Sequence, residues 1–188
     1  MRMLWLVVLA CLVGVASPAL AQNDIRVLAT SKTSTLEKEM NEAAEAGYRF
    51  AAVMGGDTSF GGSEAVVIMT RRDDDKPRFA YRLLATSKTG TMQKELQESG
   101  DAGYEYKGQT SYKSAFGGKE VIVLLERDKS LAPQRYEYKL LATKKTSTMQ
   151  KELGEAAAAG YQFVGMTVSE TLMGGAEVVC ILRRKSST

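Results

Sequence analysis

One nine-residue stretch occurs three times in the chain, and this repetition constrains the fold more than any other feature. Residues 88–96, KTGTMQKEL, return as residues 145–153, KTSTMQKEL, and a looser copy, KTSTLEKEM, occupies residues 32–40. Each copy is followed by an Ala-Gly-Tyr triplet and then by a Gly-Gly pair that precedes the last apolar run. The spacing of about 56 residues predicts a repeat architecture. We therefore expect repeats over residues 22–72, 79–128 and 136–184.

Each copy has the pattern of a strand, a helix and two further strands. Residues 136–140 alternate apolar and charged side chains, which predicts a half-buried strand. Ser34 with Glu37 and Ser147 with Gln150 have the spacing of a helix capping box. Gly47, Gly103 and Gly160 suit the left-handed residue that ends a helix. Residues 178–182 form a continuous apolar run, which predicts a central strand antiparallel to its two neighbours. The expected fold class is α+β: three tandem βαββ repeats, each a three-stranded sheet with one helix on one face.

The small size of a single repeat limits how much surface it can bury on its own. A chain of about 50 residues buries a small fraction of its surface and is marginal as an independent unit. Leu84, Leu141 and Val164 place apolar side chains on the sheet face opposite the helix. We therefore expect the three repeats to pack on one another as a compact pseudo-trimer.

The first 21 residues have the pattern of a secretory signal peptide. An apolar run over residues 4–15 is too short to span a membrane, and Ala19-Leu20-Ala21 is a small-x-small cleavage site. The sequence before Cys11 resembles a lipoprotein cleavage box, but too little apolar sequence precedes it. We expect cleavage after Ala21 and a periplasmic or secreted protein. Cys180 would then be the one remaining cysteine, so no intrachain disulfide could form.

Several motifs resemble a small bacterial βαββ family that is catalogued as domain of unknown function 4177. Residues 136–139, Tyr-Glu-Tyr-Lys, are similar to the opening of its first strand, and residues 100–105 are similar to the end of its helix. Arg71, Arg127 and the pair at 183–184 match the basic close of its last strand. Tyrosine replaces the family's tryptophan in all three copies. The resemblance implies the βαββ fold and brings no activity with it.

The composition argues against most catalytic chemistry. The chain has no histidine, which removes histidine-based triads and histidine metal sites. Cys180 lies in an apolar strand and is best interpreted as a small buried hydrophobe. Residues 73–75 are three aspartates without the glycine and distal glutamate of an EF-hand, so a solvated linker is the better interpretation. We predict no catalytic residue, no metal site and no cofactor. The net charge of +3 and the lack of a basic block argue against a nucleic-acid partner.

The repeated Lys-Thr-x-Thr segment is the best candidate for an anion or partner site. It joins a lysine and two hydroxyls to a helix N-terminus, which can hold phosphate, sulfate or carboxylate. The alternative is helix capping with an ion pair from the lysine to the glutamate that begins the third strand, and we favour it. The predicted pairs are Lys32–Glu64, Lys88–Glu120 and Lys145–Glu177. The candidate binding residues are Lys32, Thr33, Thr35, Lys88, Thr89, Thr91, Lys145, Thr146 and Thr148.

Apolar residues near the Gly-Gly turns are candidate contact points. They are Phe60, Tyr112, Phe116 and Met173. An apolar side chain at a loop tip can contact a partner or fold back onto its own sheet, and both interpretations stay open.

Three functional hypotheses follow. The first is a non-catalytic exported module, monomeric as a pseudo-trimer, that binds a protein or an envelope component. The second is a small-molecule or anion-binding protein with a pocket between repeats. The third, which we favour least, is a hydrolytic enzyme that uses Glu64 with Lys32.

Overall fold

The computed structural model describes residues 24–59, 62–72, 75–86, 88–113, 119–132, 134–170 and 176–187. Each repeat contributes a strand, a helix and two strands, in the predicted order. The elements are β1 (Asp24–Thr30), α1 (Thr33–Glu45), β2 (Arg49–Thr58), β3 (Gly62–Arg71), β4 (Phe79–Thr86), α2 (Thr89–Asp101), β5 (Glu105–Lys113), β6 (Lys119–Asp128), β7 (Tyr136–Thr143), α3 (Thr146–Ala158), β8 (Gln162–Glu170) and β9 (Ala176–Lys185).

The three sheets have the same topology. Their strand orders are β1-β3-β2, β4-β6-β5 and β7-β9-β8, with every neighbouring pair antiparallel. The third strand of each repeat is therefore central, as its apolar run predicts, and the first and second strands are edges. Residues 121–125 are 3% exposed or less, which is the burial expected of a strand covered on both faces. The α+β fold with three βαββ repeats is confirmed.

The helices begin differently from the prediction. Each starts after an extended lysine, and no side chain caps that end, because lysine has no acceptor to offer the free amides. The threonine that ends the preceding strand accepts a bond from the lysine N–H instead, through Thr30, Thr86 and Thr143. The predicted capping boxes are therefore wrong. The predicted glycine ends are confirmed: Gly47, Gly103 and Gly160 have φ values of 87°, 82° and 82°.

The repeats pack on one another in chain order. The helix of one repeat packs on the first strand of the next, α1 on β4 and α2 on β7. The second strands also stack, β2 on β5 and β5 on β8. One hydrophobic core holds residues of repeats 1 and 2, another holds residues of repeats 2 and 3, and a smaller core lies within repeat 3. The pseudo-trimer is thus a stack in which neighbours complete each other's cores.

Helix side chains bind the exposed edges of the next sheet at both junctions. Asn41 of α1 donates to the Tyr81 carbonyl at 3.0 Å and accepts from the Tyr81 N–H at 2.9 Å. Glu37 accepts from the Leu83 N–H at 2.7 Å. An unpaired strand edge is a liability that native folds cover. These side chains cover β4 without adding a strand.

The second junction repeats this arrangement with glutamines. Gln93 of α2 donates to the Tyr138 carbonyl at 2.9 Å and accepts from the Leu140 N–H at 2.7 Å. Gln97 accepts from the Tyr138 N–H at 3.0 Å. In α3 the matching positions are Gln150, which is exposed, and Gly154, which has no amide side chain.

Candidate functional site

The Lys-Thr-x-Thr segment of repeat 1 lies at a pocket between repeats 1 and 2. The pocket encloses about 420 Å³ and is lined by residues 31–34 of repeat 1 and by Ala85, Tyr112 and Glu120 of repeat 2. The helix start therefore faces the neighbouring repeat. This placement depends on the stacking of the repeats, which the sequence pattern does not specify.

Tyr112 closes this pocket from the second repeat. Its side chain is 4% exposed, its hydroxyl lies 3.2 Å from the Thr33 Oγ1, and it donates to the Ser31 carbonyl at 3.1 Å. The Tyr112 side chain thus contacts the helix start of repeat 1 and lies in the core shared by repeats 1 and 2. The other candidate contact residues, Phe60, Phe116 and Met173, lie outside the described residues.

Glu120 and Glu177 lie on sheet faces that pack against the preceding repeat, and the predicted lysine–glutamate pairs do not form. Side chains alternate between the faces of a strand. Glu120 therefore lies on the face of Ile122 and Leu124, which pack into the core shared with repeat 1, while α2 covers the other face. Among the described residues, no ion pair joins Lys32 to Glu64, Lys88 to Glu120 or Lys145 to Glu177.

Threonine hydroxyls bind two of these glutamates instead. Thr89 at the start of α2 donates to Glu177 of repeat 3 at 3.0 Å. Thr58 donates to Glu64 at 2.6 Å within the hairpin of repeat 1. The predicted site residues of repeat 3, Lys145 and Thr146, are exposed at the start of α3. The remaining candidates, Thr35, Thr91 and Thr148, lie in the first turns of the three helices.

A chain of alternating charges crosses both junctions, and sequence reasoning missed it. Arg49 of repeat 1 lies 3.0 Å from Glu126 of repeat 2, and Glu126 is 4% exposed. Lys107 lies 3.4 Å from Glu126 and 3.0 Å from Glu105, and Glu105 lies 2.7 Å from Arg183 of repeat 3. All of these groups except Arg183 line part of a cavity of about 200 Å³ that also contacts the linker after β6.

Two buried tyrosines, one at each junction, form hydrogen bonds to the preceding repeat. The Tyr81 hydroxyl donates to Glu126 at 2.9 Å and accepts from the Phe50 N–H at 2.8 Å. The Tyr138 hydroxyl accepts from the Tyr106 N–H at 2.7 Å at the second junction. Burial raises the pKa of both tyrosines far above the usual value, and the charge of Glu126 adds to the effect at Tyr81. Both phenols therefore stay protonated and able to donate near neutral pH.

The first end of the stack exposes an apolar sheet face, here called the N-terminal face. Ile25, Val27 and Met54 pair with Thr70, Ile68 and Val66, so all three side chains lie on the face away from α1. They are 61%, 55% and 58% exposed. In repeats 2 and 3 the positions of Ile25 and Val27 are held by a tyrosine and a leucine that pack under the preceding helix.

The other end exposes the opposite kind of face, here called the C-terminal face. Phe163, Met166 and Val168 of β8 pair with Leu182, Cys180 and Val178, so they lie on the face that carries α3. They are 55%, 57% and 45% exposed. Apart from Leu131, the exposed large hydrophobic side chains of the described residues all lie on these two faces.

The described residues include no cluster of histidine, cysteine, aspartate or glutamate that could hold a metal ion. Cys180 is 3% exposed, and burial raises the pKa of its thiol. No helix in the described ranges combines the length and apolar character needed to cross a membrane. Comparison with models of known protein families, with curated proteins and with solved structures gives no match for this chain.

Proposed function

We propose that the protein is a non-catalytic exported interaction module that binds a protein or an envelope component through the ends of its stack. The observation that carries this proposal is the concentration of exposed apolar side chains on the N-terminal and C-terminal faces. Large contiguous apolar surface on a folded protein marks a site of interaction. Inside the stack, faces of the same kind are buried against each other.

The non-catalytic part of the proposal rests on how the polar groups are used. Glu126 and Glu105 are each bound by cations from two elements. Export rests on the signal pattern of residues 1–21, and membership of the small βαββ family rests on the motifs of the strands and helix ends.

Site-specific photo-crosslinking in the native host tests the proposal. A photoreactive amino acid is placed at Met54 on the N-terminal face, at Phe163 on the C-terminal face, or at Lys94 on the polar side of α2. Lys94 is the control because its side chain is 78% exposed and lies on neither face. We expect crosslinks to protein from at least one face and none from Lys94. Equal crosslinking from all three positions, or from none, would count against an end-face interaction.

A second candidate function is supported by the pocket at the first junction. Lys32 and the hydroxyls of Thr33, Ser34 and Tyr112 line about 420 Å³ and could bind a small anion, although Glu120 opposes it. Titration with phosphate and with sulfate, followed by NMR of the Thr33 and Tyr112 amides, tests this. We expect saturable shifts that Lys32→Ala weakens and Glu120→Gln strengthens. Shifts that grow linearly and ignore both substitutions would exclude a site.

A further inference from the structure

The chain buries the same pair of faces against each other twice. At the first junction, Phe50 and Val53 of β2 pack against the core shared with repeat 2. A Cβ added to Gly108 of β5 would lie 3.3 Å from Val53 and 3.4 Å from Phe50, so the two strands are in direct contact. Phe163 and Met166 hold these positions in repeat 3 and are exposed.

The same comparison holds for the opposite face. Tyr81 and Leu83 of β4 are 2% and 7% exposed because α1 covers them. Ile25 pairs with Thr70 as Tyr81 pairs with Glu126, so Ile25 and Val27 hold the same positions in repeat 1. Both are exposed in repeat 1.

We propose that the C-terminal face of one molecule binds the N-terminal face of a second copy of this chain, so that copies stack head to tail. This inference rests on the proposed function and names its partner. The contact continues an interface that the chain already builds twice. An interface between two different faces is heterologous, and it grows into a ring or an open filament rather than stopping at a dimer.

The polar residues at the two free ends are compatible with a second copy as the occupant. Inside the stack, the facing positions hold Arg49 with Glu126 and Glu105 with Arg183. By register, the matching positions at the free ends are Gln162, which pairs with Arg183 on its own sheet, and Thr70, which pairs with Arg49. Two neutral polar side chains would therefore meet, and no charge would be buried without a partner.

Three residue differences between the end repeats and the equivalent positions of the internal junctions should make the contact between copies weaker than those junctions. Gly154 stands where Asn41 and Gln97 bind the next strand edge, so one set of edge hydrogen bonds is lost. Ala52 stands where Gly108 lets β2 approach closely, so the strands would sit slightly further apart. Ile25 has no hydroxyl to replace that of Tyr81. Gln150 keeps the position from which Gln93 binds its strand edge. Copies should therefore associate reversibly and separate on dilution.

The test uses two face variants of the purified, processed protein. Phe163→Lys places a charge on the C-terminal face, and Ile25→Lys places one on the N-terminal face. Both residues are more than half exposed, so the monomer fold should tolerate the changes. Leu131→Lys is the matched control, since Leu131 is 65% exposed and lies on neither face. Sedimentation velocity over micromolar to millimolar concentrations measures the association, and circular dichroism checks that each variant is folded.

We expect the unmodified protein and Leu131→Lys to associate beyond a dimer as concentration rises. Each face variant alone should need at least about tenfold more protein, because a lysine would have to be desolvated. An equal mixture of the two variants should form a dimer that grows no further, since one intact face remains on each. This complementation is specific to a head-to-tail contact. Val27→Lys and Met166→Lys are second variants for the same faces.

Two results would overturn the inference. The first is an unmodified protein that stays monomeric throughout the concentration range. The second is a single face variant that still associates as strongly as the unmodified protein, because that face would then not be needed. If the purified protein is monomeric while the faces crosslink to a different envelope protein, the self-stacking inference fails and the interaction module stands. If the purified protein self-associates but neither face crosslinks to a protein in the host, the proposed interaction module is contradicted instead of the self-stacking inference.

Discussion

Arg49 of β2 and Glu126 of β6 form an ion pair across the first junction, with the Nη2 and Oε1 atoms 3.0 Å apart. At the second junction Glu105 and Arg183 occupy the same structural positions, 2.7 Å apart, with the two charges exchanged. Docking repeat 1 directly onto repeat 3 would therefore bring Arg49 against Arg183. Like charges at a contact disfavour the wrong pairing. Because the charges are exchanged between the two junctions, repeat 1 matches repeat 2 and repeat 2 matches repeat 3. The exchange therefore specifies the order in which the repeats stack.

Loss of the buried carboxylate at this junction should destabilise the fold strongly. Glu126→Gln leaves Arg49, Lys107 and the Tyr81 hydroxyl without their shared charged acceptor, so we expect a loss of about 2–4 kcal/mol in the free energy of unfolding. Glu98→Gln is the control, because Glu98 is 60% exposed in a helical pair with Lys94 and should cost less than about 0.5 kcal/mol. Urea unfolding at neutral pH measures both. Similar losses for the two variants would mean that Glu126 is not a junction residue.

Stability should fall in acid because of Glu105. Burial raises the pKa of this carboxyl, but the hydrogen bond and charge of Lys107 and the charge of Arg183 outweigh burial and lower it. A carboxyl with a lowered pKa in the folded state stabilises the fold above its unfolded pKa of about 4.3 and loses that contribution as pH falls through the folded value. We expect the urea concentration at the unfolding midpoint to decrease as the pH falls below about 4.5. Glu105→Gln should make this decrease smaller. Part of the decrease should remain because of Asp128, whose pKa is also lowered.

Matched glutamine substitutions should separate an internal junction from a free end. Gln93→Ala removes two hydrogen bonds to the edge of β7, at 2.9 and 2.7 Å, and should cost about 1–3 kcal/mol. Gln150→Ala changes the same position of α3, where the side chain is exposed, and should leave the monomer within about 0.5 kcal/mol. Hydrogen exchange adds a local readout, with faster exchange of the Leu140 amide in the first variant only. An unchanged Leu140 amide would contradict the edge-binding role.

Two helical glycines should respond to alanine in opposite directions. A Cβ on Gly100 would lie 2.9 Å from a ring carbon of Tyr138 and would also meet the Tyr136 carbonyl, so Gly100→Ala should push α2 off β7. A loss of about 1–3 kcal/mol is expected from such overpacking. A Cβ on Gly154 meets nothing within 4 Å, so Gly154→Ala should gain up to about 1 kcal/mol from helix propensity. Thermal unfolding measures both variants. A gain in both would show that α2 does not press on β7.

The thiol of Cys180 should resist modification while the protein is folded. Cys180 is 3% exposed and burial raises the pKa of its thiol, so the reactive thiolate is scarce at neutral pH. A thiol reagent such as DTNB should react only as fast as the protein opens, and fully in urea. Rapid stoichiometric labelling of the native protein would show instead that β9 is accessible.

The fold could be predicted because each local sequence pattern occurs in all three repeats. The alternation in residues 136–140 and the apolar run in residues 178–182 define an edge strand and a central strand by burial alone. The face of Glu120 could not be predicted in the same way. Residues 121–125 are apolar on both faces, so the pattern does not show which face α2 covers and which faces repeat 1.

The shared repeat pattern did not reveal the junction contacts, for a related reason. Arg49 and Glu126 are 77 positions apart, and neither belongs to the segments that the repeats share most closely. Each lies where the copies differ, since the equivalents of Arg49 are a glutamate and a glutamine. A search for positions at which the repeats exchange charge would have found the pair.

The shared cores have a consequence for folding during synthesis. The core of repeat 1 contains Tyr81, Leu83 and Tyr112 of repeat 2, and the core of repeat 2 contains Tyr138 and Ile181 of repeat 3. A nascent chain leaves the ribosome N-terminus first, so neither repeat 1 nor repeat 2 can complete its core until most of the following repeat has emerged. A chain truncated after β6 would keep a complete first core and leave the second one open.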